Sequence, residues 1–339
     1  MRVAIVGAGV IGVTSAFAVK DAFPSYDVKI FADAFSPDTT GDGSAGLWGP
    51  YLLGDTPIDN ITRWAGCTHQ WFEQLWKAGL SSKTGVSLIP VTRVTSDCEA
   101  NININWAKLV YGFQKITDEK LQRLNEEHKS NYKQGWHFIT YTAEPVLLLP
   151  WLMERFIALG GKIEKRNIKT LHDLAEEGYD LIINCSGLGA RELVADKTMT
   201  SIRGQVKAPW TMHCFLLDDD SCNYIIPNIN NVVLGGTHQE GDFDCSAREE
   251  DSKNIYDGCC RMMPSLNACQ IIREWVGLRP GRPRVRLECE TLSSLTGKEI
   301  KVIHNYGHGG SGVTLCWGCA TDVVEMIRNL KVQELNSKL

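Results

Sequence analysis

Near its start the chain runs Val3-Ala4-Ile5-Val6 straight into Gly7, Gly9 and Gly12. That is a G-x-G-x-x-G pattern in the context that gives it meaning, with a strand before and a helix after. Gly7 permits a tight turn, Gly9 lets backbone approach a pyrophosphate, and Gly12 lets helix pack closely on strand. Val10 and Ile11 belong to the same turn. The helix predicted from Val13 to Asp21 would aim free N–H groups and a positive dipole end at phosphates. A second strand, Val28 to Ala32, ends at Asp33. An acid about twenty residues beyond the last glycine suits the ribose hydroxyls. Strand, glycines, helix, strand and acid in that order read as a dinucleotide site. The competing reading is a glycine-rich turn in a nucleotide-free α/β protein. This stretch leaves the dinucleotide's chemistry, nicotinamide or flavin, open.

With 339 residues the chain has room for two domains or one large one. A net charge of −5, mixed along the chain, argues against a nucleic-acid or anionic-membrane surface. Ten Trp, nine Tyr and ten Phe belong to a globular chain with large cores. The 12 cysteines are scattered, with no secretion signal, and read as reduced, mostly buried thiols. Cys316 and Cys319 have redox spacing but no second pair for zinc, and read as packing. Met1-Arg2 before an apolar stretch resembles a leader, but the glycine pattern explains it better. No apolar run reaches the roughly 18 residues that span a bilayer. Ser337-Lys338-Leu339 reads as a peroxisomal signal, so an import receptor and the peroxisomal matrix are expected. Gln333 to Leu339 is polar enough to be the free tail such a receptor needs.

A polar, glycine-rich loop from Phe35 to Gly46 follows Asp33 and leads into Leu47-Trp48-Gly49-Pro50-Tyr51. Loops after a nucleotide-fold strand commonly wrap a cofactor. Apolar residues at helical spacing predict a packing helix over Thr62 to Leu80. Strands are predicted at Val86 to Val94 and Gly135 to Thr142, with Asp118 to Lys133 a solvated helix or loop. A helix from Trp151 to Leu159 has Pro150 in its first turn and Gly160-Gly161 at its end. Lys162 to Arg166 begins a strand. Tyr179 to Asn184 is a buried strand entering Cys185-Ser186-Gly187, which would bring more backbone to the dinucleotide. Ile202 to Ala208 reads as a strand, and Tyr224 to Pro227 with Val232 to Gly236 as a hairpin. Cys259 to Met263 and Ala268 to Val276 read as helical, Gly277 to Pro283 as a stiff loop. Val302 to Asn305 is a short strand, and Thr314 to Leu330 the last helix. His304 and His308 are four apart but lie in a glycine-rich segment, so hydrogen-bonding roles are expected and no metal site. The fold class is α/β: a discontinuous Rossmann-type domain (residues 1–50, 142–190 and 283–339) with an inserted, β-rich antiparallel domain (51–141 and 191–282).

Several motifs together resemble the D-amino-acid oxidase and D-aspartate oxidase flavoproteins. They are VGAGVIG at Val6, FADAFSPDTT at Phe31, AGLWGPYL at Ala45, INCSGLGAREL at Ile183 and RGQV at Arg203. YIIP at Tyr224, LGGT at Leu234, GLRPGRP at Gly277 and HNYGHGGSGVTLCWG at His304 complete the set. The resemblance implies FAD, a two-domain fold, oxidation of a D-amino acid with oxygen to give hydrogen peroxide, and peroxisomal residence. It puts Gly7, Gly9 and Gly12 at the pyrophosphate and Asp33 at the ribose. Thr39, Thr40, Gly46 and Leu47 would line the flavin, and Ile168 would lie near the adenine with Ser186 and Gly187 close by. Gly312, Val313 and Thr314 would sit at the pyrimidine end, and Gly309 and Gly310 would also contact the cofactor. Arg279 would clamp the substrate carboxylate, Tyr224 would donate to it, and the Gly310 carbonyl would accept from the amine. A homodimer is left open.

CSGLGAREL, DTPI from Asp55 and the Ser311 of HGGSG resemble the aspartate oxidases more. Those enzymes place further arginines around the substrate side chain, at positions that align with Leu217 and His238 here. Burying a carboxylate without a cation or several donors costs several kcal/mol. Leu217, Ile226 and Leu47, with Gly49 and Ser311 beside them, imply an apolar side-chain pocket and neutral or broad D-amino acids. D-aspartate oxidation is the alternative, and His238 would be charged by an acidic substrate. The acidic run Asp218-Asp219-Asp220 would favour basic substrates if it lay over the pocket, and otherwise faces solvent. The lid tyrosine of the neutral oxidases is missing from this loop.

Overall fold

The computed structural model describes residues 1–98, 105–207, 214–218, 221–293, 297 and 299–336. The tail 337–339, Ala208, Asp219 and Asp220 lie outside the described residues. The chain opens with β1 (Arg2–Val6), α1 (Val10–Ala22), β2 (Asp27–Ala32), α2 (Ile58–Lys77) and α3 (Ser81–Thr84). Next come β3 (Ser87–Thr95), β4 (Tyr111–Lys115), α4 (Asp118–His128), β5 (Gln134–Thr142) and α5 (Pro145–Ala158). They are followed by β6 (Lys162–Lys165), α6 (Leu171–Glu176), β7 (Leu181–Asn184), α7 (Ala190–Leu193) and β8 (Thr200–Lys207). Then follow β9 (Cys214–Leu217), β10 (Tyr224–Pro227), β11 (Val232–Gly235), β12 (Gln239–Glu240) and α8 (Glu249–Met262). The chain ends with β13 (Glu274–Gly281), β14 (Arg286–Ser293), β15 (Glu299–Tyr306) and α9 (Gly312–Asn336).

Two sheets organise these elements. The first has the order β14-β15-β7-β1-β2-β6. All its neighbours pair in parallel except β14, which runs antiparallel to β15. Its central strands β1 and β7 are apolar on both sides because both faces are covered there. On β1, Val3 and Ile5 pack with Val13, Leu148 and Val323 from α1, α5 and α9. Ala4 and Val6 turn the other way, onto Phe31, Leu174, Tyr179 and Val302. The alternation is the period of two of an extended chain.

The second sheet has the order β12-β8-β11-β10-β9-β3-β5-β4, with β13 also paired to β8. It is antiparallel, as expected, at every contact but one: β3 and β9 are parallel, with Arg93 opposite Leu216. The helix α2 packs in the first cluster, Trp71 stacking on Trp317 of α9 at 4.7 Å, so part of the 51–141 segment covers the first sheet.

Several boundaries differ from the sequence reading. The helix expected from Trp151 begins at Pro145, and Pro150 sits inside it. Burial of Leu148 and Leu149 outweighs the one backbone bond that Pro150 removes. Ala268 to Val276 is not helical: Pro264–Ala268 is a tight turn and β13 starts at Glu274. Gly277 to Gly281, read as loop, is strand, because Glu274–Gly281 pairs residue for residue with Lys207–Thr200. Pro280 is tolerated there because β13 is an edge strand. The strand β14 carried no apolar alternation and escaped notice. Cys316 and Cys319 are fully buried within α9, and burial pushes both thiols far up, which fits packing.

His69 is caged by the rings of Trp48, Tyr111 and Tyr141 at 4.9, 5.3 and 4.9 Å. Its Nε2 has no partner among the described residues, and burial lowers its pKa to about 4. The native imidazole is therefore neutral, while the unfolded one protonates below about 6.5. Stability is lost as pH falls through that window, by about 2 kcal/mol from this group at pH 5. Urea midpoints between pH 7.5 and 5 should fall with pH, and the slope should flatten by about one proton in His69→Phe.

Candidate dinucleotide and substrate site

At the end of β1 the backbone turns into α1 with no room for side chains. A Cβ on Gly7 would overlap the Cys185 carbonyl, and one on Gly12 would overlap the Gly7 carbonyl. Gly7 has φ +110° as well. Gly9 differs: a Cβ there would meet nothing within 4 Å. It opens on a cavity of about 580 Å³ that Gly7, Val10 and Ile11 also line. The helix α1 starts at Val10, earlier than expected, with no side-chain cap on its first N–H groups. Those donors are left for a ligand.

The cavity continues past Asp33 at the end of β2, then along Thr39, Thr40, Gly46 and Leu47. Asp42 braces this loop, accepting from the Thr39 hydroxyl at 2.6 Å and the Ser36 hydroxyl at 2.5 Å. Leu47 is tied to the second sheet by a bridge to Thr142. The opposite wall comes from Ser186 and Gly187 after β7, and from Gly309, Gly310, Gly312 and Val313 at the start of α9.

Five expected site residues do not line the cavity. Gly12 is the packing glycine. The Thr314 hydroxyl donates to the Gly49 carbonyl at 3.2 Å and accepts the Gly49 N–H at 3.1 Å. The Ser311 hydroxyl likewise donates to the Tyr51 carbonyl and accepts its N–H, both at 2.6 Å. These two side chains hold the 49–51 segment against the start of α9. Ile168 packs with Leu171 and Phe31 and does not line the cavity. His238 also lies off the cavity and is exposed. Its expected part in reading an acidic side chain has no geometric basis.

Three polar side-chain atoms in cavity-lining residues have no partner among the described residues: Ser186 Oγ, Asn305 Oδ1 and His308 Nε2. Burial pushes the His308 pKa down to about 3, so it is neutral and able to donate or accept. Unpaired buried polar atoms are costly, and a polar ligand along this wall would satisfy them. With the open cradle at Gly9, these atoms fit an FAD-sized dinucleotide. The His304 imidazole, by contrast, is engaged by Asn184 and Glu290 at 3.1 and 2.7 Å. No metal-binding group of three or more ligands occurs among the described residues.

At the other end, Arg279 enters from β13 and Tyr224 from β10. Arg279 Nη1 donates to the Thr237 carbonyl at 3.0 Å. Its guanidinium lies over Gly204, where a Cβ would overlap it, and the Tyr224 ring lies over Gly235 and Gly236. Burial raises the Tyr224 pKa against the pull of Arg279, so the phenol keeps its proton. Leu47, Gly49, Leu217 and Ile226 line the same end. So do Tyr51, Arg93, Trp106 and Phe138, which sequence reading did not place in the substrate pocket, and Asp218, whose position over the pocket it had left open. Asn305 and His308 stood inside a quoted motif, whereas Arg93 carried no local signal.

A nucleotide cradle continuous with a cationic clamp on a second sheet defines a dinucleotide-dependent oxidoreductase. The FAD dependent oxidoreductase family model matches residues 2–326, and the chain belongs to that family. It is 37% identical to human D-aspartate oxidase, covering 96% of this chain and 94% of that protein. It is 35% identical to the D-amino acid oxidase of Dugesia ryukyuensis, over 97% of this chain and 98% of the relative. Among solved structures, glycine oxidase from Geobacillus kaustophilus matches with a TM-score of 0.75 at 17% identity, over 97% of this chain and 95% of that one. FAD is the cofactor, and the chain is an oxidoreductase.

Gly204→Ala places a methyl group where the Arg279 guanidinium lies. The variant should keep its bound flavin, read by visible absorbance, while KM for an α-amino acid rises about tenfold or more. Unchanged KM would remove Arg279 from the clamp.

Proposed function

We propose that this chain is an FAD-dependent oxidase of D-amino acids with neutral or broad preference, yielding a 2-oxo acid, ammonia and hydrogen peroxide. The observation that carries it is the shared cavity: Arg279 and Tyr224 face the same space as the glycines of the nucleotide cradle. FAD bound along this cavity would supply the two-electron acceptor chemistry for the substrate Cα–H bond, with oxygen as the final acceptor. The chain's own residues bind and orient. Arg279 holds the substrate carboxylate through its planar fork. The Tyr224 hydroxyl, kept protonated, donates to the same carboxylate. The Gly310 carbonyl accepts from the amine, fixing which hydrogen faces the cofactor. Tyr51 lies against Gly310, where a Cβ would overlap its ring, and helps shield this end from water. The N-terminal end of α9, which begins at Gly312, carries the helix's positive dipole end toward the cavity wall and would suit negative charge on the cofactor.

Leu47, Leu217 and Ile226 support neutral side chains, and His238 is not there to offset an acidic one. D-aspartate oxidation is the second reading, favoured by the similarity to the human D-aspartate oxidase. Peroxide release on D-Ala, D-Met, D-Arg, D-Asp and D-Glu decides between them. Activity on D-Met above D-Asp is expected; D-Asp ahead of D-Ala by tenfold at neutral pH would overturn the preference. Arg279→Ala should retain FAD and lose kcat/KM by orders of magnitude.

Ser337-Lys338-Leu339 supports delivery to the peroxisomal matrix through the import receptor, a compartment suited to a peroxide-forming enzyme. A fluorescent fusion with this tail free should be punctate and coincide with a peroxisomal marker; deletion of the three residues should make it diffuse. A punctate deletion variant would overturn the assignment.

A further inference from the structure

Arg93 is part of the cavity wall, in a strand 131 residues before Tyr224 in sequence, yet the sheet sets the two in one row. Arg93 is opposite Leu216 on β9, and Leu216 is opposite Tyr224 on β10. Residues paired across strands share a face, and strands are about 4.8 Å apart, so the Arg93 backbone stands about 10 Å from that of Tyr224. Arg93 Nε donates to Asp218 Oδ2 at 2.6 Å. Its side chain is 21% exposed and that of Asp218 34%, so the pair is partly desolvated. Asp218 is itself fixed: its N–H donates to the Val94 carbonyl at 2.8 Å, and its carbonyl accepts from the Thr95 hydroxyl at 2.6 Å. The Nη1 and Nη2 groups of Arg93 have no hydrogen-bond partner among the described residues. Leu216, Trp106 and Phe138, all apolar, line the same cavity.

We infer that Arg93 and Asp218 together are the specificity-determining pair of this pocket, reading a carboxamide at the end of the substrate side chain. This rests on the D-amino-acid oxidase reading above and deepens it. With the α-carboxylate on Arg279 and Tyr224, a side chain of glutamine length reaches across the Leu216 position toward Arg93. The amide oxygen accepts from the free Nη edge, and the amide nitrogen donates to Asp218. A carboxylate of the same length gains from Arg93 but meets the Asp218 charge. An ammonium gains from Asp218 but meets Arg93. A carboxamide engages both without either repulsion, and a thioether engages neither.

The test compares kcat/KM for D-Gln, D-Glu and D-Met on the flavin-loaded protein. In Arg93→Met the D-Gln to D-Met ratio should fall about tenfold, the scale of one hydrogen bond to a charged group. A ratio within threefold of the parent's overturns the inference. Asp218→Asn, which keeps the shape of the loop, should raise the D-Glu to D-Gln ratio about tenfold by removing the repelling charge; an unchanged ratio also overturns it. Should the parent oxidise none of the three while carrying FAD, the oxidase reading itself falls. Activity with ratios that ignore both substitutions sinks only the role of this pair.

Discussion

Three backbones meet at the end of β1 with no Cβ between them. The Gly7 carbonyl lies against Gly12, and the Cys185 carbonyl lies against Gly7. This closeness brings α1 and the turn after β7 together at the mouth of a parallel sheet. Ligands bind at such sheets outside the carboxyl ends of the strands. Gly9 then projects into open space instead of into protein, and the α1 N–H groups are left without a cap. Packing and binding use the same glycines: two close the junction, and the third leaves the gap that a phosphate can fill.

The second sheet supplies what the first cannot, a fixed cation. Arg203 shows how β8 is held. Its guanidinium is fully buried, and all its N–H groups are used, by Asp251, Gln239, Gln205 and the carbonyls of Asp244 and Ser246. Breaking such a pair from one side costs about 3 kcal/mol or more, so the strand is kept in a single position. The strand β13 pairs along the whole of β8, with Arg279 opposite Ile202 and Gly204 beneath its guanidinium. Two arginines thus have opposite uses. Arg203 is saturated and structural, while Arg279 keeps part of its fork available.

The nucleotide half was legible because its information is local. Strand, glycines and Asp33 lie within one βαβ unit, and each is tied to a function by its spacing. The motifs around Ser186 and Gly312 were equally local. What failed depended on distant partners. Ala268 to Val276 looks helical on its own, but β13 is fixed by pairing with a strand some seventy residues earlier. Glycines and prolines at 277–283 suggested a loop, yet an edge strand tolerates them. Ser311 and Thr314 stood beside the right residues, but their hydroxyls face the 49–51 backbone.

The side-chain end of the pocket is the extreme case. Leu217 and Ile226 were readable as apolar, and they do line it. Taken alone they describe a pocket that rejects every polar group. Arg93 changes that description, and only the parallel register of β3 on β9 brings it there. Asp218 could be seen as acidic, but its partner could not. Paired with Arg93, it is the acceptor half of a donor-and-acceptor pair at the cavity wall. The Arg93–Asp218 contact at this end of the cavity is made between strands that the chain's order gives no reason to pair.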